Sequence, residues 1–437
     1  MRHLLTALVL LLAGCETARF DLSGKGDDAA RYGAMYPYYI ETCAVSGVDK
    51  HPGFGFEYHS GLGGHAVMFV HGVCRVRNSG FPAVQLCDDA SAEVADGVGI
   101  SANAHFRNAA WIATPGRDFF FDGALRPGEA VNQASYNRTQ SRARELGILN
   151  NVQFHDEVFE DMPPGMTQDD FKYEASVATD YGIAFGRGRL CARQPVTREQ
   201  MRRVVGYLNG RNAEYRDGQR MSRMSVMENN CSHFTHNVLA AAGAWDEWPV
   251  DRFIAVAALS FPVPKNEFVN QMRRSNDMPL DDPEQLYHDK KAREALLRDD
   301  WLPTGPGAIT TAEPPRQPNE LYDTNVNLIF YDLPFIGAYH RYLGSIAGVP
   351  RYTDLADNLA HFAGLYARIK AERKPLSWWL THAAPPAGTE PSFPEFLDRY
   401  YSYIDRMSAR TNVSLLALRP PPADARPAEV AEYRPRR

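Results

Sequence analysis

A cysteine at the predicted start of a helix is the residue in this chain best suited to do chemistry. Residues 228–234 read ENNCSHF, and a helix is predicted from about Ser232 to Ala242, ending at Gly243. Unpaired backbone N–H groups and the helix dipole favour a thiolate at Cys231, and the same N–H groups can stabilise an oxyanion on a substrate carbonyl. The pattern therefore predicts a thiol nucleophile. The alternative is a small buried apolar residue or a disulfide partner.

A thiol nucleophile needs a base, and a histidine on a neighbouring strand is the usual supplier. His65 opens the apolar, β-rich run His65–His71 directly after Gly63 and Gly64, which would place its ring at the edge of a cleft. A half-buried strand histidine bonded to backbone explains the same pattern, and both interpretations stay open. His71 shares the strand face of His65, but such a pair is more typical of structure than of a metal site.

A third interpretation of the helix start is a zinc site made of Cys231, His233 and His236. At roughly 100° per residue, Cys231 lies on the face of Phe234 and Val238, whereas the two histidines lie on the other face. Because metal ligands must converge, we expect neither a metal nor a cofactor here.

The N-terminus predicts the compartment. A short basic start precedes the apolar run Leu4–Leu12, and residues 12–15 read LAGC. This pattern resembles a bacterial lipobox, which implies that Cys15 is diacylated and becomes the new N-terminus. The run is too short to span a bilayer. The resemblance also implies a body in the periplasm, and Glu16 favours the outer membrane.

An oxidising compartment changes how the other cysteines are interpreted. Besides Cys15 and Cys231, the chain contains Cys43, Cys74, Cys87 and Cys191. An odd number of cysteines remains after Cys15 is set aside, so at least one thiol stays unpaired within the chain, and we expect it to be Cys231. The other four can pair in three ways. A local bridge between Cys74 and Cys87, around a predicted turn, has the easiest geometry, but the sequence does not choose.

Composition and patterning predict a folded protein with several parts. The chain has 437 residues, a formal net charge of −6 and 44% hydrophobic residues, which argues against disorder and against nucleic acid as a partner. Other predicted elements are a strand at His105–Thr114, a helix opened by a capping box at Thr197, and amphipathic helical stripes over 355–369 and 396–407. The expected organisation is a signal peptide (1–14), a tether (15–50), a thiol domain (51–245), a mostly helical region (246–418) and a Pro-rich tail (419–437).

The order of these motifs resembles a known fold. Residues 63–69 read GGHAVMF, and Asn230-Cys231-Ser232 follows much later. This order resembles the circularly permuted papain-like (NlpC-type) fold, in which the histidine strand precedes the cysteine helix. Within it, residues 55–245 are most similar to the Lnb-type periplasmic domain family, whose members include bacterial lipoprotein N-acyltransferases. Asn108-Ala109-Ala110 matches the family's asparagine strand. The resemblance implies an α+β fold, with an antiparallel sheet and a central cysteine helix.

The resemblance also implies roles for the matched residues. Cys231 would be the nucleophile, His65 the general base and Asn108 the orienting third group. His105 competes with Asn108, because two residues three apart cannot both face inward from one regular strand. The expected function is a lipid-anchored periplasmic thiol enzyme that carries out acyl transfer, or amide or ester hydrolysis, on an envelope substrate (lipoprotein, lipid or peptidoglycan). The alternative is a non-catalytic envelope scaffold lipoprotein on the same fold.

Overall fold

The computed structural model describes residues 29–57, 64–76, 79–87, 97–225, 229–249, 262–324, 339–382 and 392–418. The predicted signal peptide, the lipid attachment site Cys15 and the Pro-rich tail lie outside these residues. None of the helices in the described ranges combines the length and the apolar character needed to cross a membrane.

The described chain is an α+β fold built around one antiparallel sheet. Six strands pair in the order β6-β5-β2-β1-β7-β8, and β3 pairs with β4 in a separate ribbon. The strands are β1 (Tyr39–Val45), β2 (His65–His71), β3 (Val73–Arg75), β4 (Val84–Leu86), β5 (Val98–Ser101), β6 (Ile112–Pro115), β7 (Arg189–Pro195) and β8 (Ile309–Glu313).

Helices cover both faces of this sheet and form most of the C-terminal half. They are α1 (Ala29–Met35), α2 (Arg117–Asp122), α3 (Gln133–Glu145), α4 (Gln168–Ser176), α5 (Arg198–Ala213), α6 (Cys231–Ala242), α7 (Pro264–Asn276), α8 (Pro283–His288), α9 (Lys290–Asp299), α10 (Tyr339–Gly348), α11 (Pro350–Thr353), α12 (Leu355–Ala371), α13 (Leu376–His382) and α14 (Phe393–Leu418). Short 3₁₀ turns lie at Asp156–Phe159 and Ile183–Phe185.

The tether predicted for residues 15–50 is wrong over Tyr39–Val45, because these residues form the strand next to the centre of the sheet. Every residue of β1 is buried, and the strand pairs with β2 on one side and β7 on the other. Its central Glu41 is compatible with burial because Arg117 and Arg193 both bond to the carboxylate.

The predicted boundary at residue 246 does not separate two independent cores. Strand β8, from the C-terminal half, pairs along β7 and extends the same sheet. Helix α7 packs its apolar residues Phe268, Val269 and Met272 against Ala44 of β1 and Leu190 of β7. The remaining C-terminal helices bury a separate aromatic cluster, so the described part of this half is mostly helical and is joined to the sheet.

The elements that carry the predicted thiol and base form as expected. Strand β2 spans His65–His71, and helix α6 begins at Cys231 and ends at Gly243 in the left-handed conformation. Side chains from α5 and α6 pack together against one face of the sheet, through residues such as Met201, Val204 and Val238. This packing fixes the start of α6 relative to β2.

The strand predicted at His105–Thr114 is only partly correct. Regular pairing covers Ile112–Pro115, whereas residues 105–111 form a loop. The backbone N–H groups of Ala110 and Trp111 donate to the Asn212 side chain at 2.7 and 3.2 Å, so a side chain of α5 replaces the ladder partner that a strand would need.

Candidate active site

Cys231 is the free cysteine among those that the structure describes. Cys43 pairs with Cys191 across β1 and β7, and Cys74 pairs with Cys87. The expectation that Cys231 is the unpaired thiol is thus confirmed, and so is the local Cys74–Cys87 bridge.

The start of α6 is fixed by a reciprocal cap. The Asn230 side-chain oxygen accepts from the backbone N–H groups of Ser232 and His233 at 2.9 and 3.1 Å, while the His233 ring accepts from the Asn230 N–H at 3.2 Å. The Asn230 amide also donates to Pro262 O at 3.0 Å. Such a cap satisfies donors that would otherwise be unpaired, and it sets where the chain enters the helix.

The sulfur of Cys231 contacts β2 directly beside His65. The backbone N–H of Ala66 donates to Sγ at 3.3 Å. Ala66 pairs with Ala44 of β1 on one side, but on the β5 side it lies one residue beyond the last pair, Val67↔Ser101. The structure therefore brings together the two segments that the sequence selects. Among the described residues, no hydrogen bond joins the sulfur to the His65 ring itself.

Gly64 sets the position from which the chain enters β2. Its φ is +68°, and a Cβ there would lie 2.3 Å from the carbonyl oxygen of Val45. Only glycine tolerates both conditions. This position therefore determines where His65 begins the strand.

The imidazole of His65 belongs to a buried polar chain. Its Nε2 lies 3.2 Å from Ser101 Oγ, and Ser101 Oγ donates to Asp180 Oδ1 at 2.7 Å. His65 and Val67 point to the same face of the sheet and Val67 pairs with Ser101, which explains the contact. All three groups are buried.

The hydrogen bonds among His65, Ser101 and Asp180 fix the tautomer of His65. When Asp180 is ionised its oxygens can only accept, as can Thr179 O at 3.4 Å, so the Ser101 hydroxyl donates to an oxygen and accepts from the ring. His65 Nε2 therefore carries the proton. Its Nδ1 then holds the lone pair and is the nitrogen able to accept a proton.

Asp180 is held in a tight loop between α4 and the Ile183–Phe185 turn. Its carboxylate accepts two contacts from Asn103 Nδ2 at 3.2 and 3.3 Å, and its N–H donates to Ser176 O at 2.8 Å. Burial raises the pKa of Asp180 to about 6, although the bonds from Ser101 and Asn103 lower it. Above that pH the carboxylate is ionised.

Burial keeps both the thiol and the imidazole neutral. It raises the pKa of Cys231, while N–H groups of Ala66 and Ser232 and the charge of Arg187 act in the opposite direction. It also lowers the pKa of His65 to about 3, and Arg187 and His105 lower it further. The thiolate expected from the helix start is therefore not the resting form, because loss of solvation outweighs the helix-start donors.

The third group proposed from the sequence lies in a different network. Asn108 donates to Asn151 O at 2.9 Å and accepts from Gln153 N at 2.8 Å, so both ends of its amide hold one loop. No hydrogen bond in the described ranges links Asn108 to His65. His105 is half-buried, loss of solvation lowers its pKa to about 4, and its charge acts on the pKa of His65.

The histidines of α6 serve structural purposes. His236 lies between the rings of Trp245 and Trp248, with its Nδ1 3.0 Å from Glu267 and its Nε2 3.0 Å from Asp246 O. Since His233 caps the helix, the Cys231–His233–His236 zinc site is not formed. The described residues contain one metal-like cluster, Glu41 with Cys43 and Cys191, but its cysteines are joined in a disulfide.

His71 is likewise bound into the core. Its ring stacks on Tyr39 with centroids 4.7 Å apart, at the opposite end of β2 from His65.

Ser101, Asp180 and Arg187 were not predicted from the sequence. Ser101 ends the four-residue strand β5, which was not predicted, and Asp180 lies in a loop with no motif around it. Arg187 is buried and donates to Ala178 O at 2.6 Å and to Ser46 O at 2.8 Å. A buried Asp or Arg leaves no periodic signal, so only the fold reveals these residues.

The fold and site together define an α+β chain with a free thiol at a helix start. The sulfur is hydrogen-bonded to the backbone of Ala66, the residue that follows the histidine of a buried imidazole–hydroxyl–carboxylate chain. No family model matches the sequence, and neither the curated proteins nor the solved structures contain a significant match. A cavity of 620 Å³ lies elsewhere, lined by residues 75–76, 79–82, 115, 145–148 and 150, and does not include Cys231.

Proposed function

We propose that the protein is a cysteine-dependent enzyme of the acyl-transfer class, which acts on an envelope substrate through a Cys231 thioester. The observation that carries the proposal is the bond from the Ala66 N–H to Cys231 Sγ. It holds the one free thiol among the described residues at the strand position that follows His65. The Nε2 atom of His65 is in turn fixed by Ser101 and Asp180. The resemblance to the permuted papain-like fold and the Lnb-type family points to the same chemistry.

The proposed reaction begins with a neutral pair. His65 Nδ1 takes the thiol proton while Cys231 Sγ attacks the substrate carbonyl carbon, and the carbonyl electron pair moves to oxygen. The resulting imidazolium is stabilised through Ser101 by the Asp180 carboxylate. Asn230 occupies the N–H groups of Ser232 and His233, which leaves the Cys231 N–H as the helix-start donor for the oxyanion.

The intermediate then collapses and the enzyme is regenerated. His65 returns its proton to the leaving amine or alkoxide, and the carbon–heteroatom bond breaks to give the thioester. Water or an amine attacks the thioester carbonyl and gives its proton to His65. The thiolate departs and takes that proton back. Water as acceptor gives a hydrolase and an amine gives an acyltransferase, and lipoprotein, lipid and peptidoglycan each offer a suitable carbonyl.

We further propose that the chain is anchored by lipid on Cys15, with its body in the periplasm at the outer membrane. The two disulfides support an oxidising compartment. The lipobox resemblance of residues 12–15 supports the anchor.

A burst experiment tests the thioester. The full chain is mixed with a p-nitrophenyl acyl ester in excess, and we expect about one equivalent of nitrophenolate per active site before steady state. Cys231→Ser keeps the size of the side chain and should remove the burst, whereas Ser225→Ala, close in the chain, should retain it. An equal burst from wild type and Cys231→Ser would refute the assignment of the nucleophile.

A non-catalytic scaffold on the same fold is the second candidate. It is favoured by the raised pKa of the Cys231 thiol and by the absence, within the described residues, of a bond between that sulfur and the His65 ring. The rate of alkylation by iodoacetamide separates the two candidates. A scaffold predicts the same slow rate in wild type and in His65→Gln, while an enzyme predicts a faster rate in wild type.

A further inference from the structure

A second cavity lies away from the thiol, where the C-terminal helices meet the sheet. It has a volume of 430 Å³ and is enclosed by the α1–β1 connection, the β7–α5 connection, residues 300–308, and helices α12 and α14. Its walls are mostly apolar and aromatic, with Tyr36, Trp301, Tyr403 and Met407 among them. Small-molecule sites in proteins have this size and this lining, with a few polar groups that fix the ligand's orientation.

The charged groups at this cavity leave an excess of positive charge. Arg198 and Arg410 both line it and are exposed, and neither forms a hydrogen bond or ion pair with another residue in the described part of the chain. The one acidic residue of the lining, Asp300, is already paired with Arg406. The charge of Arg410 acts on the phenols of Tyr36 and Tyr403, which places it close to both rings.

We propose that this cavity binds an aliphatic chain that ends in one anionic group, a carboxylate or a phosphate monoester. The apolar walls exclude water from the chain, and Met407 can adapt its flexible thioether to the chain's shape. The guanidinium of Arg410, together with Arg198, supplies donors in the planar geometry that suits carboxylate and phosphate oxygens. This site is independent of the proposed thiol chemistry.

Calorimetric titration of the full chain with four probes tests the charge and the chain separately. Decanoate and decyl phosphate, kept below their micelle concentrations, should bind with one site each. Decyltrimethylammonium and inorganic phosphate should bind at least tenfold more weakly. If decyl phosphate binds more tightly than decanoate, a phosphate monoester is the natural head group, and the reverse result identifies a carboxylate. Equal binding of the cationic probe, or of inorganic phosphate, would overturn the proposal.

Two pairs of variants locate the site on α14. Arg410→Gln should weaken decanoate binding about tenfold, because it removes a charged hydrogen bond, whereas Arg399→Gln on the same helix should not. Ser414→Phe fills the cavity and should abolish binding, whereas Val413→Phe, at a position 67% exposed, should not. Melting temperatures confirm that each variant is folded. Wild-type affinity in both Arg410→Gln and Ser414→Phe would refute the assignment.

Discussion

Replacing Asp180 with Asn should make the protein more stable and less active at neutral pH. The carboxylate is fully buried and accepts from Ser101 Oγ and Asn103 Nδ2. Asn has nearly the size of the protonated acid and carries no charge at any pH. The substitution therefore separates two effects of the Asp180 charge: its cost in free energy of unfolding, and its stabilisation of a protonated His65.

The effect on stability follows from the pKa of Asp180. Burial raises it from its ordinary value of 3.8 to about 6 in the folded protein. Between these values the folded state binds more protons than the unfolded state, so the free energy of unfolding falls as pH rises. One unit of pKa difference is worth about 1.4 kcal/mol, so this group should cost wild type about 3 kcal/mol in all, of which about 2.4 kcal/mol is lost between pH 4 and pH 7. The free energy of unfolding of Asp180→Asn should not fall in this way, because Asn does not ionise.

The effect on activity follows from the hydrogen-bond chain. An ionised Asp180 lets Ser101 accept from His65, and in the proposed reaction this would stabilise the imidazolium formed when Cys231 attacks. A hydrogen bond to a charged group is worth about 1.5–3 kcal/mol and a neutral one about 0.5–1.5 kcal/mol. Losing the charge should therefore lower kcat by roughly tenfold.

Urea denaturation at several pH values and constant ionic strength measures the first effect, and ester turnover measures the second. The difference in unfolding free energy between Asp180→Asn and wild type should grow by about 2.4 kcal/mol from pH 4 to pH 7. Asp156→Asn, at an exposed position, is the control and should follow wild type in both assays. A difference that stays constant with pH, together with unchanged kcat, would show that Asp180 is not the buried charge that holds His65.

Three other substitutions test the surroundings of the site. Gly64→Ala should destabilise the fold by about 1–3 kcal/mol in urea denaturation, since the φ of Gly64 is +68° and a Cβ would meet a backbone carbonyl. Its control, Gly206→Ala on α5, has open space around the new Cβ and should stabilise the fold by up to about 1 kcal/mol. Replacing Cys43 and Cys191 together with Ala should cost about 2–5 kcal/mol by the same measurement, because this disulfide closes a separation of 148 residues; an unchanged midpoint would contradict it. Asn108→Ala should lower the melting temperature but leave kcat within about twofold of wild type, because its amide holds the 151–153 loop; loss of kcat at full stability would return it to the catalytic set.

The parts of the fold that the sequence predicts are those with local signals. The capping box at Thr197 and the glycine at 243 mark the bounds of α5 and α6, and both helices form as predicted. The odd number of cysteines correctly requires one unpaired thiol, because the pairing rule depends on count and compartment and not on geometry. The position of Cys231 at a predicted helix start is what assigns that thiol to it.

The parts that the sequence did not predict depend on distant partners. Strand β1 reads YIETCAV, and its Glu41 interrupts an apolar run that would otherwise indicate a buried strand. The charge is compatible with burial only because Arg117 and Arg193 come from positions 76 and 152 residues away. Asp180 shares this property, since its partners Ser101 and Asn103 lie far back in the chain. Periodicity cannot reveal an ion or hydrogen-bond partner that only the folded chain supplies.

The balance of charges around Cys231 decides which mechanism is reasonable. A thiolate–imidazolium pair at rest would need the environment to favour both ions, yet burial raises the pKa of the thiol and lowers that of His65 to about 3. In the proposed reaction, proton transfer from Cys231 would therefore accompany attack on the substrate. That step would cost least where the imidazolium is stabilised. Among the described residues, Asp180 is the carboxylate linked to the His65 ring, through the hydroxyl of Ser101. On this proposal the buried carboxylate destabilises the resting fold and favours the charged form of His65.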